Sequence, residues 1–599
     1  MSDGRGTVAN TRAFMGRLAR DTRANTLALM TMALIPLAGM VGGGIDISRM
    51  YIVKTRLQHA CDAGALAGRK TMGGGTWGDT PRQAAEKFFD ANYDKNAYGL
   101  NPATVTKVFA ENAGKVTGTA NATVPMTLMR IFGKTNEPLS VTCDAEMRLP
   151  NTDVMFVLDT TGSMDEDDGT GTKKINGLKK AVKCFYEIVA RLDTNAACDS
   201  TPSGGTGNQV QIRFGFVPYA SNVNVGRLLK TEWMADSWFY QTRKLANTPS
   251  GSWGSWSGKQ TGSCSSIPTN TEARQYTIDS QDWWGNCTYR YRNWSGTAAS
   301  WNYDRLSQTV SGLKSGTNWN ASFTLPIGPS GAQQTINWDG CIQERKTAKT
   351  DNYSPIPSDA KDLDIDLVPT SDTTTQWGPA LPGVIFTRKS TGSSGTGSWD
   401  TAALNGVNTI YTNTSGYSCP TEAKRMQSWT ASNFDTYVDS LNPQGNTYHD
   451  IGLLWGARLV SPNGLFADDN DYTPQGGEIE RHIIFMTDGD TNTQPSDYNA
   501  YGVPWFDKLQ TNSTSQSDLD TQVDKRFAAL CTAIKNATFK GKPVYTLWVI
   551  SFGKVSSDTE TRLTNCATSG RYFSTKTSSE LQTQFRKIAD QISQLRLTK

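Results

Sequence analysis

Asp153-Val154-Met155-Phe156-Val157-Leu158-Asp159-Thr160-Thr161-Gly162-Ser163 is the stretch on which the reading of this chain turns. Five apolar residues in unbroken succession have the texture of a strand buried on both faces, as in a parallel sheet covered by helices. The run stops at Asp159. There Asp159, Thr161 and Ser163 set three oxygen-bearing side chains two residues apart on a tight turn. In open α/β sheets, ligands bind beyond the carboxyl ends of the strands. Three oxygens so placed can converge on one hard cation, and Mg²⁺ favours octahedral oxygen ligation while keeping water.

The flanking sequence extends the same pattern. Ile175, Leu178, Val182, Phe185, Val189 and Leu192 fall three and four apart, which predicts an amphipathic helix. Residues 210–217 read as a second strand. After a long interruption, regular patterning resumes. It has a helix at 447–460, a buried strand at 482–487 ending in Asp488-Gly489, and a helix at 518–537. A buried strand at 544–550 and a short strand at 571–574 follow. Leu581, Phe585, Ile588, Ile592 and Leu595 make the apolar face of a last helix, which Thr577 and Glu580 open as a capping box. Strand and helix alternate, so the class is α/β, a doubly wound, mostly parallel sheet. Gly445-Asn446-Thr447 opens one of the helices and Met486-Thr487-Asp488-Gly489 ends one of the strands, so both can bring oxygens to the same edge.

At these residues the chain resembles the von Willebrand factor A family with a metal-ion-dependent adhesion site. That pattern is D-x-[ST]-x-S, a distant Thr, then the Asp of T-D-G. Asp159, Thr161, Ser163, Thr447 and Asp488 match its five positions in order. The resemblance implies bound Mg²⁺ or another divalent cation, with one coordination position open to an acidic group of a protein partner. The alternative is a fold that keeps the motif only to knit its loops together. Catalysis is not expected. A dehalogenase-type phosphatase would want a second Asp where Thr161 stands, and no G-x-S-x-G elbow surrounds Ser163. Residues 169–173 lack the spacing of a phosphate-binding loop.

The interruption, residues 229–439, holds 13 of the 17 tryptophans and four of the ten cysteines. It is rich in Ser, Thr, Gly and Asn. It reads as a loop-rich, disulfide-stapled insertion whose tryptophans build satellite cores or meet a partner. Two acidic runs, Asp165-Glu166-Asp167-Asp168 and Asp468-Asp469-Asn470-Asp471, read as solvated loops. The second lacks the Gly and distal Glu of a calcium loop.

Near the start, residues 26–45 form an uncharged, apolar stretch of the length a bilayer core requires. Its apolar run exceeds that of a cleaved signal peptide, and no Ala-x-Ala site follows closely. Five arginines precede it against two aspartates, and the basic count after it is smaller. This places the N-terminus in the cytoplasm. Residues 1–24 thereby account for the whole net charge of +3, and the remainder is neutral overall. Such balance argues against nucleic-acid binding. All ten cysteines follow the anchor and none forms C-x-x-C, which reads as disulfides in an exported segment. Sequence alone leaves connectivity open; Cys264–Cys287 and Cys531–Cys566 are the nearest-neighbour pairings. His59, His449 and His482 share no metal-ligand spacing and read as ordinary histidines.

The N-terminal third narrows the resemblance. Gly44-Ile45-Asp46-Ile47-Ser48-Arg49 followed by Leu57-Gln58-His59-Ala60-Cys61-Asp62-Ala63-Gly64-Ala65-Leu66-Ala67-Gly68 resembles the TadG-like N-terminal region of the Flp (tight adherence) pilus system. Gly64 stands where Ala is usual. Trp338-Asp339-Gly340-Cys341-Ile342, Cys419-Pro420 and Leu563-Thr564-Asn565-Cys566-Ala567 are similar to islands of TadG-like chains. The resemblance implies a single-pass protein of the bacterial inner membrane, its bulk in the periplasm or reaching the cell surface. Its partners would be pilus or secretion-apparatus components. No prepilin processing signature is present, so a minor component or anchor is expected. The expected organisation is a basic tail at 1–24, a transmembrane helix at 25–46 and a small α+β, pilin-like region at 47–150. The adhesion-type domain follows in two parts, 151–228 and 440–599, around the insertion at 229–439. The competing expectations are a surface adhesin acting through the Trp-rich insertion and, less in keeping with the motifs, a Mg²⁺-dependent hydrolase.

Overall fold

The computed structural model describes residues 22–72, 77–112, 115–146, 151–191, 211–386, 404–406, 416–474, 476–592 and 596–597. The basic tail up to residue 21, Leu192, Cys198 and Leu595 lie outside them.

One helix, α1 (Thr22–Met72), contains the apolar stretch and continues well beyond it. Its outer half is the spine of a small head. The helix α2 (Asp79–Asn92) carries Pro81 in its first turn, where no intrahelical N–H bond is lost. Three antiparallel strands follow, β1 (Thr106–Asn112), β2 (Lys115–Pro125) and β3 (Asn136–Glu146). Along β2 every second residue is buried, as a sheet with one covered face requires. Val53, Leu57 and Ala65 of α1 pack with Phe89 of α2 and with Phe109 and Val116 of the sheet. The Cys61–Cys143 disulfide ties α1 to β3. The structure also explains the unusual Gly64: a Cβ there would stand 2.5 Å from the Phe109 ring and 2.9 Å from the Ala85 carbonyl oxygen.

The larger body is built on a six-stranded sheet. Its elements are β4 (Asn151–Asp159), α3 (Lys174–Arg191), β5 (Ile212–Tyr219), β6 (Lys424–Gln427), α4 (Ala431–Asp439) and α5 (His449–Val460). They continue with β7 (Ile479–Thr487), α6 (Gln516–Asn536), β8 (Tyr545–Phe552), α7 (Ser557–Cys566), β9 (Tyr572–Thr575) and α8 (Ser578–Ile592). The strand order is β6-β5-β4-β7-β8-β9, parallel except for the edge pair β6–β5. Side chains alternate across β4. Val154, Phe156 and Leu158 face α3, α4 and α8, whereas Met155 and Val157 face α5, α6 and α7. Helices therefore cover both faces, which is why β4 could be apolar without interruption. At the start of α8, Thr577 Oγ1 accepts from Glu580 N–H as a capping box requires, while the Glu580 carboxylate reaches the N–H of Lys576.

Helix α5 lies unusually close to the sheet. A Cβ at Gly452 would stand 2.4 Å from the Tyr219 ring, and one at Gly456 2.2 Å from Val157 Cγ2. Replacing Gly by Ala in a helix gains about 1 kcal/mol of propensity. Overpacking a close-packed contact costs about 1–3 kcal/mol. Gly456→Ala should therefore lower the denaturant midpoint; an unchanged or raised midpoint would show that α5 is free to lift.

The insertion differs from a satellite module. It carries its own antiparallel strands, chiefly Ser237–Leu245 paired with Trp301–Thr309, and a four-stranded sheet from Ser250–Trp253, Gln260–Ser263, Arg274–Gln281 and Asn286–Thr297. Trp233, Trp301, Trp338 and Trp377, however, share one apolar core with Met155, Val157 and Trp455 of the body. Glu344 sits inside that core. It accepts from the indoles of Trp377 (3.0 Å) and Trp455 (2.6 Å) and pairs with Arg458 (2.9 Å). The insertion is packed onto the α5 face through this shared core, and the charge buried in it finds its partners on both sides. Cys264–Cys287 and Cys531–Cys566 are bonded as expected, joined by Cys341–Cys419, and Cys184 is also disulfide-bonded.

Candidate functional site at the sheet edge

Strand β4 passes to β5 on one side, while β7 pairs with its other side. The chain thus departs in opposite directions at β4, and the crevice at the carboxyl ends of β4 and β7 is the topological switch point where ligands of such sheets bind. Asp159 ends β4, and Asp488 follows the last residue of β7.

Both carboxylates are buried. Asp159 Oδ1 accepts from the Thr161 N–H at 2.9 Å, and Asp159 Oδ2 from the Thr487 hydroxyl at 2.8 Å. The Thr161 and Ser163 hydroxyls are 3.0 Å apart, and Ser163 donates to Asp488 Oδ1 at 2.7 Å. A continuous chain of hydrogen bonds therefore joins Asp159, Thr161, Ser163 and Asp488. Thr447 is placed differently. It is buried, its backbone pairs with Asn492 in both directions, and its loop is sewn to the site loop. Gly162 N–H donates to Gly445 O at 2.9 Å, and Gln444 N–H donates to Thr160 O at 2.8 Å.

Three further residues hold this site that sequence reasoning did not single out. Lys174, at the start of α3, donates to Asp488 Oδ2 at 3.0 Å and to Glu166 at 3.2 Å. Thr487 anchors Asp159, and Tyr219 OH lies 3.4 Å from the same oxygen. The T of T-D-G was the available signal for Thr487; Lys174 and Tyr219 had none. His449 Nε2 lies 2.8 Å from Thr487 Oγ1. Burial, then the charge of Arg562, pushes His449 down to about 3, so the ring is neutral and serves as a positioning group.

The electrostatics suit a cation. Burial first, and then the Asp488 charge, raises the Asp159 carboxyl well above the usual carboxylate range. Asp488 is raised by burial against the opposing pull of Lys174. Two buried carboxylates with hydroxyls between them form an all-oxygen donor set of the kind Mg²⁺, Ca²⁺ or Mn²⁺ takes. Lys174 supplies one positive charge against two, and a divalent ion would offset the remaining repulsion. The acidic run beside the site is engaged locally. Asp165 pairs with Lys173, Asp167 accepts from the N–H groups of Gly169 and Gly171, and Asp168 accepts from Ser578 at the start of α8.

The molecule is thus a mixed α/β body on a long N-terminal apolar helix with an oxygen-lined crevice at its sheet edge. Residues 25–78 match the family described as putative Flp pilus-assembly TadE/G-like, which makes this part of the chain Tad-related and supports a role in pilus assembly. A structural or assembly protein, not an enzyme, is what that family suggests. No match is found among curated proteins. Among solved structures, proximal thread matrix protein 1 from the mussel byssus matches at 19% identity, over 27% of this chain and 31% of that one. Its TM-score is 0.17, and the likeness has no bearing on the fold.

Proposed function

We propose that this chain is a membrane-anchored binding component of Flp pilus assembly. In this reading its body is a von Willebrand factor A-type domain that grips an acidic partner through a divalent cation. The observation that carries the reading is the joining of Asp159, Thr161, Ser163 and Asp488 at the switch-point crevice. Those residues, with Thr447, would hold Mg²⁺, and the metal would supply a Lewis-acidic position for a partner's carboxylate. The protein's own contribution is positional. Thr487, Tyr219 and the neutral His449 fix Asp159, and Lys174 fixes Asp488. α1 crosses the inner membrane with its N-terminus in the cytoplasm, leaving the body in the periplasm.

A specific observation supports the second reading, contact with host or substratum. Trp283 and Trp284 are 96% and 84% exposed at the tip of the hairpin between Arg274–Gln281 and Asn286–Thr297. Asp282 braces that tip through the N–H groups of Trp284 and Asn286. One experiment separates the readings. Cells carrying Asp159→Ala with Asp488→Ala, or Trp283→Ser with Trp284→Ser, are scored for piliation, for attachment and for crosslinked envelope partners. The first reading expects loss of a Mg²⁺-dependent crosslink and of pili in the aspartate variant alone. Normal pili with lost attachment in the tryptophan variant favours the second reading. An unchanged crosslink in the correctly folded aspartate variant sinks the metal role.

A further inference from the structure

The turn between β2 and β3 does not point away from the membrane helix; it runs back along it. Asp46 is buried on α1, and its carboxylate accepts from the N–H groups of Thr127 (2.9 Å), Leu128 (3.0 Å) and Met129 (2.9 Å). Arg49, one turn further out, reaches the carbonyls of Tyr98 and Pro125 and the Thr127 hydroxyl. From there the turn descends beside the glycines of the apolar stretch. A Cβ at Gly42 would stand 2.7 Å from Leu128 Cβ, and one at Gly39 3.3 Å from Phe132 Cζ. Gly39 lies seven residues before Asp46, which is about 10 Å along a helix. Phe132 therefore sits well inside the span, measured from the first ionisable residue after it.

The chemistry of the turn fits that depth. Ile131 is 78% exposed and Phe132 45%, with nothing polar required of either. Backbone groups in hydrocarbon must be satisfied within the protein. Here Asp46 takes three N–H groups, and Ile131, Gly133 and Lys134 donate to Leu128, Arg130 and Met129 carbonyls. Arg130 is exposed and long enough to carry its charge up to lipid phosphates, while the Lys134 ammonium is paired with Glu137 at 2.7 Å. Tyr51, exposed on α1 beyond Arg49, suits the headgroup level.

We propose that residues 127–134 form a second membrane contact, laying Ile131 and Phe132 into the acyl chains of the leaflet from which α1 emerges. The occupant is lipid, because the turn is continuous with the lipid-facing surface of α1. The head is thereby seated on the bilayer at a fixed rotation about α1, with Asp46 as the latch. This inference rests on the reading of α1 as a membrane span, and the test separates the two.

The full chain is reconstituted into phospholipid vesicles after introducing Ile131→Cys, Leu34→Cys in the span or Val108→Cys on the exposed face of β1, each labelled with an environment-sensitive fluorophore. Lipids carrying a nitroxide high or low on the acyl chain act as quenchers. The expected result is at least twofold stronger quenching at 131 than at 108 by the shallow nitroxide, with 34 quenched best by the deep one. Quenching at 34 with none at 131 overturns the inference while leaving the anchor intact; burial of the turn against another protein chain would give that pattern. Absence of quenching at both positions removes the anchor and the inference together. Phe132→Cys repeats the measurement on the same turn should Ile131→Cys not reach the vesicles.

Discussion

If the proposed cation site is real, adding Mg²⁺ in place of a chelator should raise the melting temperature of the full chain, and Asp488→Ala should abolish the rise. A ligand that binds only the folded state stabilises by about 2.7 kcal/mol at a hundredfold excess over Kd. For domains of 150–250 residues, each kcal/mol shifts Tm by roughly 2–4 °C. A rise of several degrees is thus expected for the wild type and none for Asp488→Ala. The variant should fold, because Lys174 keeps Glu166 as a partner once Asp488 is gone. Asp159→Asn gives the more discriminating sign. It removes one of two repelling buried charges, while the Thr161 N–H keeps a carbonyl oxygen to donate to. In chelator, the Asn variant should melt at or above the wild type; in Mg²⁺ it should melt below it. Equal melting of the wild type with and without Mg²⁺, Ca²⁺ or Mn²⁺ refutes the site as a cation binder.

The second large effect concerns Arg526. Its guanidinium is fully buried and pairs with Asp362 of the insertion at 2.5 Å and Asp450 of α5 at 2.8 Å. It also bonds Thr347 and Tyr501 at 2.8 and 2.5 Å. Removing one partner of a buried ionic group typically costs about 3–5 kcal/mol, because the remaining charges stay buried without compensation. Arg526→Ala should lose stability on that scale, with early proteolysis within the insertion. Removing all three charges, as Arg526→Met with Asp362→Leu and Asp450→Leu, should recover much of the loss, since a packed apolar cluster avoids the desolvation cost. A small effect of Arg526→Ala would show that insertion and body are only loosely joined.

The elements legible in the sequence were those whose signal is local. β4 declared itself by five apolar residues in a row, α3 and α8 by their three-and-four spacing, and Cys264–Cys287 by nearness in the chain. Asp159, Thr161 and Ser163 were legible as a candidate site because they stand two residues apart at a strand end, and Asp488 because it follows a second buried strand. What escaped depends on pairing across distance. Asp362 and Arg526 are 164 residues apart, and nothing around Asp362 marks it as buried. The insertion's composition resembled loops, yet its tryptophans pack against α5, a choice made by shape complementarity that periodicity does not record. Lys174 gave no sign because a lysine at a helix start is unremarkable until Asp488 is brought to it. Gly64 read as a departure from a pattern, and only the Phe109 ring beside it supplies the reason.

The Cys61–Cys143 bond also bears on what happens when the chain is pulled. In the proposed role, with α1 in the membrane and the body engaging a pilus component, tension would run through this head. Force entering at β3 crosses to α1 through one covalent link, so the residues from 62 to 142 are bypassed. Extended, those residues would add roughly 280 Å of slack at about 3.4 Å each. With the link closed, the residues between the two cysteines cannot be drawn out into a tether, and load applied to the body would reach α1 without that compliance. Only after reduction would those residues add their length.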